Sequence, residues 1–381
     1  MPSAAENPSA LDWLEGLSPW PEEFGLDRMR LLLSRLGDPQ LGYPAVHVVG
    51  TNGKTTTARM IESLLLAEGL SVGTYTSPHV TSWAERVRVD GHEADLEAAL
   101  ARIRADAEAV GATQFEALTA AALAEFARAG VDVAVVEAGL GGRHDATNIL
   151  RAPVVVLTNV ALEHTEVLGP TREAIAAEKL AVVQPGALVV VGEPEWDAAA
   201  REAGAEGVTV VSGSSAGLGH AAAETFLGRT VDPAPLRDVT VPGRVERVGD
   251  GPLEIWDGAH NLAGVGYLLA RLPAAEWILV VSILEDKDGT AMLAALSALG
   301  PRLVATASSS PRALAADALG DLARRFFAEV QVAAEPVAAR ARARELAGAG
   351  GAVLVTGSLY LLADLASVRQ SCLPWQASAS A

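Results

Sequence analysis

The chain reads as an α/β protein of two domains, and three observations predict this. An apolar run, Val46–Val49, passes into Gly50-Thr51-Asn52-Gly53-Lys54-Thr55 and then into a helix-spaced stretch with Met60, Ile61, Leu64 and Leu65. Short β-type runs alternate with helical runs along nearly the whole chain, which implies mainly parallel sheets with right-handed crossovers. Residues 213–241 change character to Gly, Ala, Ser and Pro with little periodicity, and a second α/β pattern follows them. The domains are set at 1–238 and 239–381.

The first observation carries the most chemistry. Glycines let backbone N–H groups turn inward around phosphate oxygens, and the following helix N-terminus adds positive potential. A lysine just before the helix can reach β- and γ-phosphates, and a Thr hydroxyl after it can ligate Mg²⁺. The match to G-x-x-x-x-G-K-[ST] is incomplete, because Val48 stands at the first glycine position and a glycine follows at Gly50.

Taken in order, residues 1–45 hold two helix-spaced sets, Leu11, Trp13, Leu14, Leu17 and Met29, Leu32, Leu33, Leu36, too short for a domain and expected to pack on the phosphate-loop domain. Residues 71–76 form a strand ending in Thr76-Ser77-Pro78-His79. Glu85–Val89 alternates like an exposed strand, with a turn at Asp90-Gly91. Helices run through Arg128, the last opened by Phe115-Glu116. A buried strand, 131–137, delivers Glu137 beside the glycine loop 139–142, a frequent metal position in nucleotide enzymes. Strand 153–159 leads to His164, as well suited to a buried, satisfied histidine as to a metal ligand. Helix 171–183 carries Lys179, and strands are expected at 187–192 and 208–211. In the second domain strands are placed at 253–256, 277–284, 303–307, 329–333 and 352–356, the first ending in Asp257-Gly258-Ala259-His260-Asn261. The tail beyond Arg369 should fray.

Composition narrows the function. A net charge of −18 argues against general nucleic-acid binding, though local loops can still bind small anions. The single cysteine, Cys372, excludes an intrachain disulfide and a cysteine-rich metal site. No signal peptide and no membrane-length apolar run are evident, so a cytoplasmic protein is expected. Only three of the 29 basic residues are lysines, Lys54, Lys179 and Lys287. A lysine retained against this background suits a place needing a compact, deprotonatable amine. Asparagines are also few, and Asn52, Asn148, Asn159 and Asn261 all lie in the motifs.

Taken together, these motifs resemble the Mur ligase superfamily, and within it the folylpolyglutamate synthase/dihydrofolate synthase family. The resemblance is carried by Gly50-Thr51-Asn52-Gly53-Lys54, Thr76-Ser77-Pro78-His79, Glu85-Arg86-Val87, Phe115-Glu116 and Glu137–Arg143 with Asp145–Asn148. It continues through Leu162–Thr165, Glu178-Lys179, Pro242-Gly243-Arg244, Asp257–Asn261, Asp286-Lys287-Asp288 and Thr356–Leu359. Only about 45 residues precede the phosphate loop, too few for the UDP-binding domain of the cell-wall enzymes. Thr55 leans the other way, because the folate branch usually has Gly there.

The resemblance implies a P-loop domain like the central domain of Mur ligases, followed by a Rossmann-like domain. It implies an ATP-dependent ligase that adds L-glutamate to a folate or to dihydropteroate through an acyl phosphate, working as a monomer without nucleic-acid or membrane partners. Lys54 would hold the β- and γ-phosphates within an ATP site of Gly50, Thr51, Asn52, Gly53, Thr55 and Thr56. Thr55 or Thr56 would ligate the first Mg²⁺, and Ser77, Glu137 and His164 the second. Lys179 matches a lysine carbamylated in the family. From the second domain, Arg244 and Asn261 would reach the nucleotide, with Asp257 and His260 near ribose and adenine. Lys287 would contact phosphate or the glutamyl carboxylate, and Phe115, Asp145 and Ala146 would bind the pterin substrate. One departure stands out. Between Glu193 and Pro242 the family carries more chain, including extra strands and a His-x-x-x-Asn motif. Gly219–Glu224 is read as its remnant, without the Asn. A Mur-like ligase for another carboxylate, or a nucleotide-binding relative without ligase activity, are the other readings.

Overall fold

A computed structural model describes residues 8–371. The chain divides into two compact units, Met1–Val239 and Thr240–Ala381.

In the first unit the helices α1 (Ala10–Glu15) and α2 (Asp27–Arg35) precede β1 (Ala45–Val49) and α3 (Lys54–Ala67). Then come β2 (Val72–Tyr75), β3 (Val87–Val89), β4 (His92–Glu93), α4 (Leu96–Val110), α5 (Gln114–Ala129) and β5 (Val133–Glu137). The unit closes with β6 (Val154–Leu157), α6 (Thr165–Leu168), α7 (Arg172–Leu180), β7 (Leu188–Val191), α8 (Asp197–Glu202), β8 (Gly207–Val210) and α9 (Ser215–Leu227). One sheet of order β4-β3-β2-β5-β1-β6-β7-β8 results. The strands from β2 to β8 in that order run parallel, and β3 and β4 are added antiparallel. The central strands β5, β1 and β6 are apolar but for His47 and the terminal Glu137, because helices cover both faces. Val46 and Val48 pack with Ile61 and Leu64 of α3 and Ala222 of α9, while Ala45 and Val49 share the opposite core with α1, α2, α4 and α5. Leu14, Met29, Leu32 and Leu33 are fully buried in that second core, so the N-terminal segment belongs to this unit as expected.

The second unit runs β9 (Glu246–Asp250), β10 (Leu253–Trp256), α10 (Leu262–Leu269), β11 (Trp277–Val281), α11 (Gly289–Leu296), β12 (Arg302–Ala305), α12 (Ala316–Ala323), β13 (Glu329–Val332), α13 (Pro336–Ala347), β14 (Ala352–Thr356) and α14 (Leu359–Ser371). Its sheet has the order β13-β12-β11-β14-β10-β9, parallel except for β9.

Four expectations need correction. Residues 213–241 are not an aperiodic connector, because α9 lies within them and packs on α3. Its contact face is made of small residues: a Cβ on Gly219 would lie 2.6 Å from Cβ of Met60. Close helix packing leaves no large apolar stripe to be read. Glu85 and Arg86 belong to a 3₁₀ turn, Trp83–Arg86, with a Ser82/Glu85 capping box, and the strand begins only at Val87. The strand from Trp277 stops at Val281 rather than Leu284. The antiparallel edge strand β9 was not anticipated, so both sheets are mixed. The backbone of α14 continues to Ser371, and the rest of the tail, Cys372 included, lies outside the described residues.

Candidate active site

The chain order of the first sheet reverses at β1, with β5 and β2 on one side and β6, β7 and β8 on the other. Ligands of open α/β sheets bind at the carboxyl ends of strands at such a switch point. The register aligns those ends: Val48 lies opposite Glu137, Val49 opposite Leu157, and Tyr75 opposite Val136. Gly50, Ser77, Glu137 and Thr158 therefore emerge from one sheet edge.

The glycine loop is held from β6. Asn159 accepts the amide of Thr51 on its carbonyl (2.9 Å) and the amide of Asn52 on Oδ1 (2.9 Å). Thr158 Oγ1 donates to the Asn52 carbonyl at 2.8 Å. Gly50 has φ +144, and a Cβ there would sit 1.9 Å from Thr158 Oγ1, so no side chain fits. Gly53 caps α3 with φ +82, leaving the first amides of the helix without helical carbonyl partners. Lys54 Nζ donates to the Thr51 carbonyl at 3.2 Å, within the loop it would leave to meet phosphate.

Glu137 is buried, and its carboxylate joins two other candidates. Oε1 accepts from Thr55 Oγ1 at 3.2 Å, and Oε2 accepts from the Ser77 amide at 3.1 Å. The hydroxyl that meets Glu137 is thus that of Thr55; Thr56 follows it on the first turn of α3. A hydroxyl and a carboxylate form a hard-oxygen set that suits Mg²⁺. His164 stands at the start of α6 with φ +50, its ring nitrogens 3.9 Å from Glu163 and Glu166 carboxylates. Among the described residues no cluster of three His, Cys, Asp or Glu side chains suited to a metal occurs.

Lys179 is 4 % exposed and reaches the same loop, with Nζ donating to the Gly50 carbonyl at 2.8 Å. Burial, and then the nearby Lys54 ammonium, lower its pKa to about 7. Helix α7 is placed closely by Gly142, where a Cβ would be 2.6 Å from the Lys179 carbonyl oxygen.

Phe115 lies on the first turn of α5, which is fixed by a Thr113/Glu116 capping box and by Arg28 Nε donating to Glu116 at 2.7 Å. Its ring tip occupies the space over Gly139, where a Cβ would lie 2.6 Å from Cζ. Ala146 is buried in the loop that Gly139 begins. The Asp145 carboxylate is engaged inside this loop. Oδ2 accepts from the Leu140 amide at 2.8 Å, and Oδ1 from the Thr147 amide at 3.0 Å and hydroxyl at 2.5 Å. Thr147 Oγ1 is in turn 2.8 Å from Nε2 of His47, a buried histidine of β1.

In the second unit the strand β10 delivers Asp257, whose oxygens accept from the Val245 and Ala259 amides at 2.8 and 2.9 Å. Burial pushes its carboxyl up against the opposing pull of Arg244. His260 Nδ1 lies 2.8 Å from the Gly258 carbonyl. Asn261 caps α10, its Oδ1 accepting from the Gly264 amide at 2.7 Å. Gly258 passes close to Leu359, where a Cβ would be 2.1 Å from Cδ2. Arg244 donates to the Gly243 carbonyl at 3.1 Å, and Lys287 pairs with Asp286 at 3.3 Å.

Thr158 and His47 were missed. Thr158 carries no local motif, and its part depends on strand pairing. His47 could have been found as the one polar residue in an otherwise apolar central strand.

Residues 48–225 match the Mur ligase middle domain, and residues 243–359 match the Mur ligase glutamate ligase domain. The dihydrofolate synthase/folylpolyglutamate synthase of Escherichia coli K12 is 34% identical over 406 residues, 94% of each chain. The solved structure of E. coli FolC in complex with DHPP and ADP superposes with a TM-score of 0.86 at 31% identity, covering 96% of this chain and 99% of that one. The Yersinia pestis bifunctional folylpolyglutamate synthase/dihydrofolate synthase with Mn, AMPPNP and L-glutamate bound gives 0.85 at 31% identity, covering 96% and 100%. With this fold, this loop and these relatives, the chain belongs to the dihydrofolate synthase/folylpolyglutamate synthase family of Mur ligases.

Proposed function

We propose that this protein is an ATP- and Mg²⁺-dependent ligase that joins L-glutamate to a folate, and to dihydropteroate as well. The relatives' names and their bound ADP, DHPP, Mn and L-glutamate support the substrate class. The observation that carries the reading is the buried Lys179 amine on the Gly50 carbonyl. A protein that only held a nucleotide would have no use for a buried lysine beside its phosphate loop.

A carboxylate oxygen of the folate attacks the γ-phosphorus of ATP, and the bond to ADP breaks. The glutamate amine then attacks the acyl carbon and releases phosphate. Phosphoryl transfer needs positioning and charge neutralisation more than covalent help from the protein. The amides of residues 50–54 cradle the phosphates, and Lys54 turns from Thr51 to meet them. Thr55 and Glu137 would hold Mg²⁺, with Ser77 and His164 as further ligands, and the ion would supply charge neutralisation for the phosphoryl oxygens. Lys179 in its neutral form reacts with CO₂ to give a carbamate and a proton, placing an anion beside the loop. Phe115 and the 139–148 loop receive the pterin. Arg244, Asp257, His260 and Asn261 serve the nucleotide.

The test is phosphate release from ATP with Mg²⁺ and L-glutamate, with tetrahydrofolate and dihydropteroate supplied separately. Release with both establishes the two activities, and release with tetrahydrofolate alone restricts the enzyme to polyglutamylation. Release with neither refutes the proposal and favours another carboxylate or a nucleotide binder.

A further inference from the structure

Alternation along β1 sends Val46 and Val48 to the α3 face, so His47 points to the opposite side with Ala45 and Val49. Only 1 % of it is exposed, and burial lowers its pKa to about 4, so the ring is neutral at working pH. A buried polar group of this kind requires a hydrogen-bond partner. That partner is Thr147, a hundred residues on, at 2.8 Å.

Thr147 has a single hydroxyl proton and two neighbours to satisfy. Its Oγ1 is 2.5 Å from Asp145 Oδ1 and 2.8 Å from His47 Nε2. Asp145 is already the target of the Leu140 and Thr147 amides, which favour the anion over the protonated acid. Burial raises the Asp145 pKa above the usual carboxylate value and the hydroxyl and amide donors pull against it; the geometry, with an amide aimed at each oxygen, presents the carboxylate as the acceptor. In that arrangement the Thr147 proton would go to Asp145, the oxygen lone pair would face the imidazole, and His47 would carry its hydrogen on Nε2.

We infer that His47 is a positioning residue for the folate end of the site: through Nε2–H···Oγ1 it locks the Thr147 hydroxyl onto Asp145 and so sets the shape of the 139–148 loop under Phe115. This rests on the reading of that loop as the folate side. His47 itself touches no substrate. Its effect passes through Thr147 and Asp145 to Gly139 and Ala146.

Two arms test this on the full-length chain. Histidine-selective ¹⁵N labelling, with seven histidines to assign, reads the tautomer directly. The expected result is Nε2–H, unchanged between about pH 8 and about pH 5.5. An Nδ1–H tautomer overturns the assignment. In the kinetic arm, His47→Phe should raise KM for the folate substrate about tenfold while KM for ATP stays within about twofold. His47→Gln, which restores an N–H donor, should recover most of the loss. An equal rise in both KM values, or no recovery with Gln, reduces His47 to a packing residue. If His47→Phe does not fold, Thr147→Val against Thr147→Ser asks the same question from the other end. If the wild-type enzyme uses no folate, the proposed function fails, and the tautomer still decides the network.

Discussion

Replacing Lys179 by Met tests whether a lysine amine is held ready to lose its proton at the phosphate loop. The side chains are similar in length, and Met places no charge beside Gly50. A pKa lowered from the usual 10.5 to about 7 corresponds to about 5 kcal/mol against the charged form. The folded value lies below the unfolded one, so the folded chain binds fewer protons between about pH 7 and about pH 10.5. Stability of the wild type should rise with pH across that window, and below about pH 7 the whole penalty remains. Lys179→Met removes the penalty and also the hydrogen bond to Gly50, worth about 1 kcal/mol. The variant should therefore be about 3 kcal/mol more stable at pH 7, and its advantage should shrink by about 2 kcal/mol by pH 9. Urea unfolding of both proteins in CO₂-free buffer measures this, and the change between the two pH values is independent of the lost hydrogen bond. A difference that does not move with pH refutes the argument. Adding bicarbonate should then stabilise the wild type alone, because only its amine can bind CO₂.

Other perturbations address the remaining parts of the site. Gly50→Ala forces a Cβ to within 1.9 Å of Thr158 Oγ1 at φ +144 and should cost about 3 kcal/mol in urea unfolding; a loss under about 1 kcal/mol would mean the loop yields easily. Glu137→Gln keeps the shape but not the charge, so Mg²⁺-dependent phosphate release should fall about a hundredfold and the Mg²⁺ requirement rise. An unchanged Mg²⁺ titration would remove Glu137 from the metal site. Gly139→Ala pushes Phe115 aside and should raise KM for the folate substrate about tenfold, with little change for ATP. Equal changes in both would place Phe115 outside the pocket. Gly219→Val drives against Met60 and should destabilise by about 2 kcal/mol, whereas a neutral result would argue against the tight seat of α9 on α3.

The centre of the first sheet and its loop are legible because β1, β5 and β6 are nearly continuous apolar runs that lead into conspicuous polar or glycine motifs. The valine runs of β1, β5 and β6 and the glycine loop after β1 needed no tertiary knowledge. Helix α9 was illegible for the opposite reason. Its buried face is mostly small, Ser215, Gly219, Ala222 and Ala223 with Leu218 the one large apolar residue, and such a face shows little hydrophobic period. Strand β9, Glu-Arg-Val-Gly-Asp, sits at an edge with one neighbour, so little of it had to be apolar. Among site residues, Glu137 and Lys179 stood out by type and context. The resemblance places Asp145 with the substrate, and in the structure its carboxylate accepts from the Leu140 and Thr147 amides of its own loop. Those contacts depend on where Leu140 and Thr147 point, which spacing alone does not encode. His47 gave a signal, a histidine among valines, but its partner lies a hundred residues away across the sheet.

The scarcity of lysine acquires a physical meaning at the phosphate loop. An arginine at 179 would stay charged, and burying it against a carbonyl beside Lys54 would leave a charge that could not be shed. A lysine can discard its proton, which burial and then the nearby Lys54 make easier, and Lys54 is the residue proposed to meet phosphate. The two lysines thus divide one requirement. Lys54 is half-buried, with Nζ on the Thr51 carbonyl within the loop. Lys179 is buried on α7, where burial and then the Lys54 charge favour its neutral amine. In a chain of net charge −18, attraction for polyphosphate cannot come from the surface at large. It must be local, and on the proposed reading it would come from loop amides, the α3 N-terminus, Lys54 and a divalent ion that Thr55 and Glu137 would hold. The acidic background makes a lysine that is allowed to lose its charge more telling, because on the proposed reading the protein gives up one of its few local cations there to gain a nucleophilic amine.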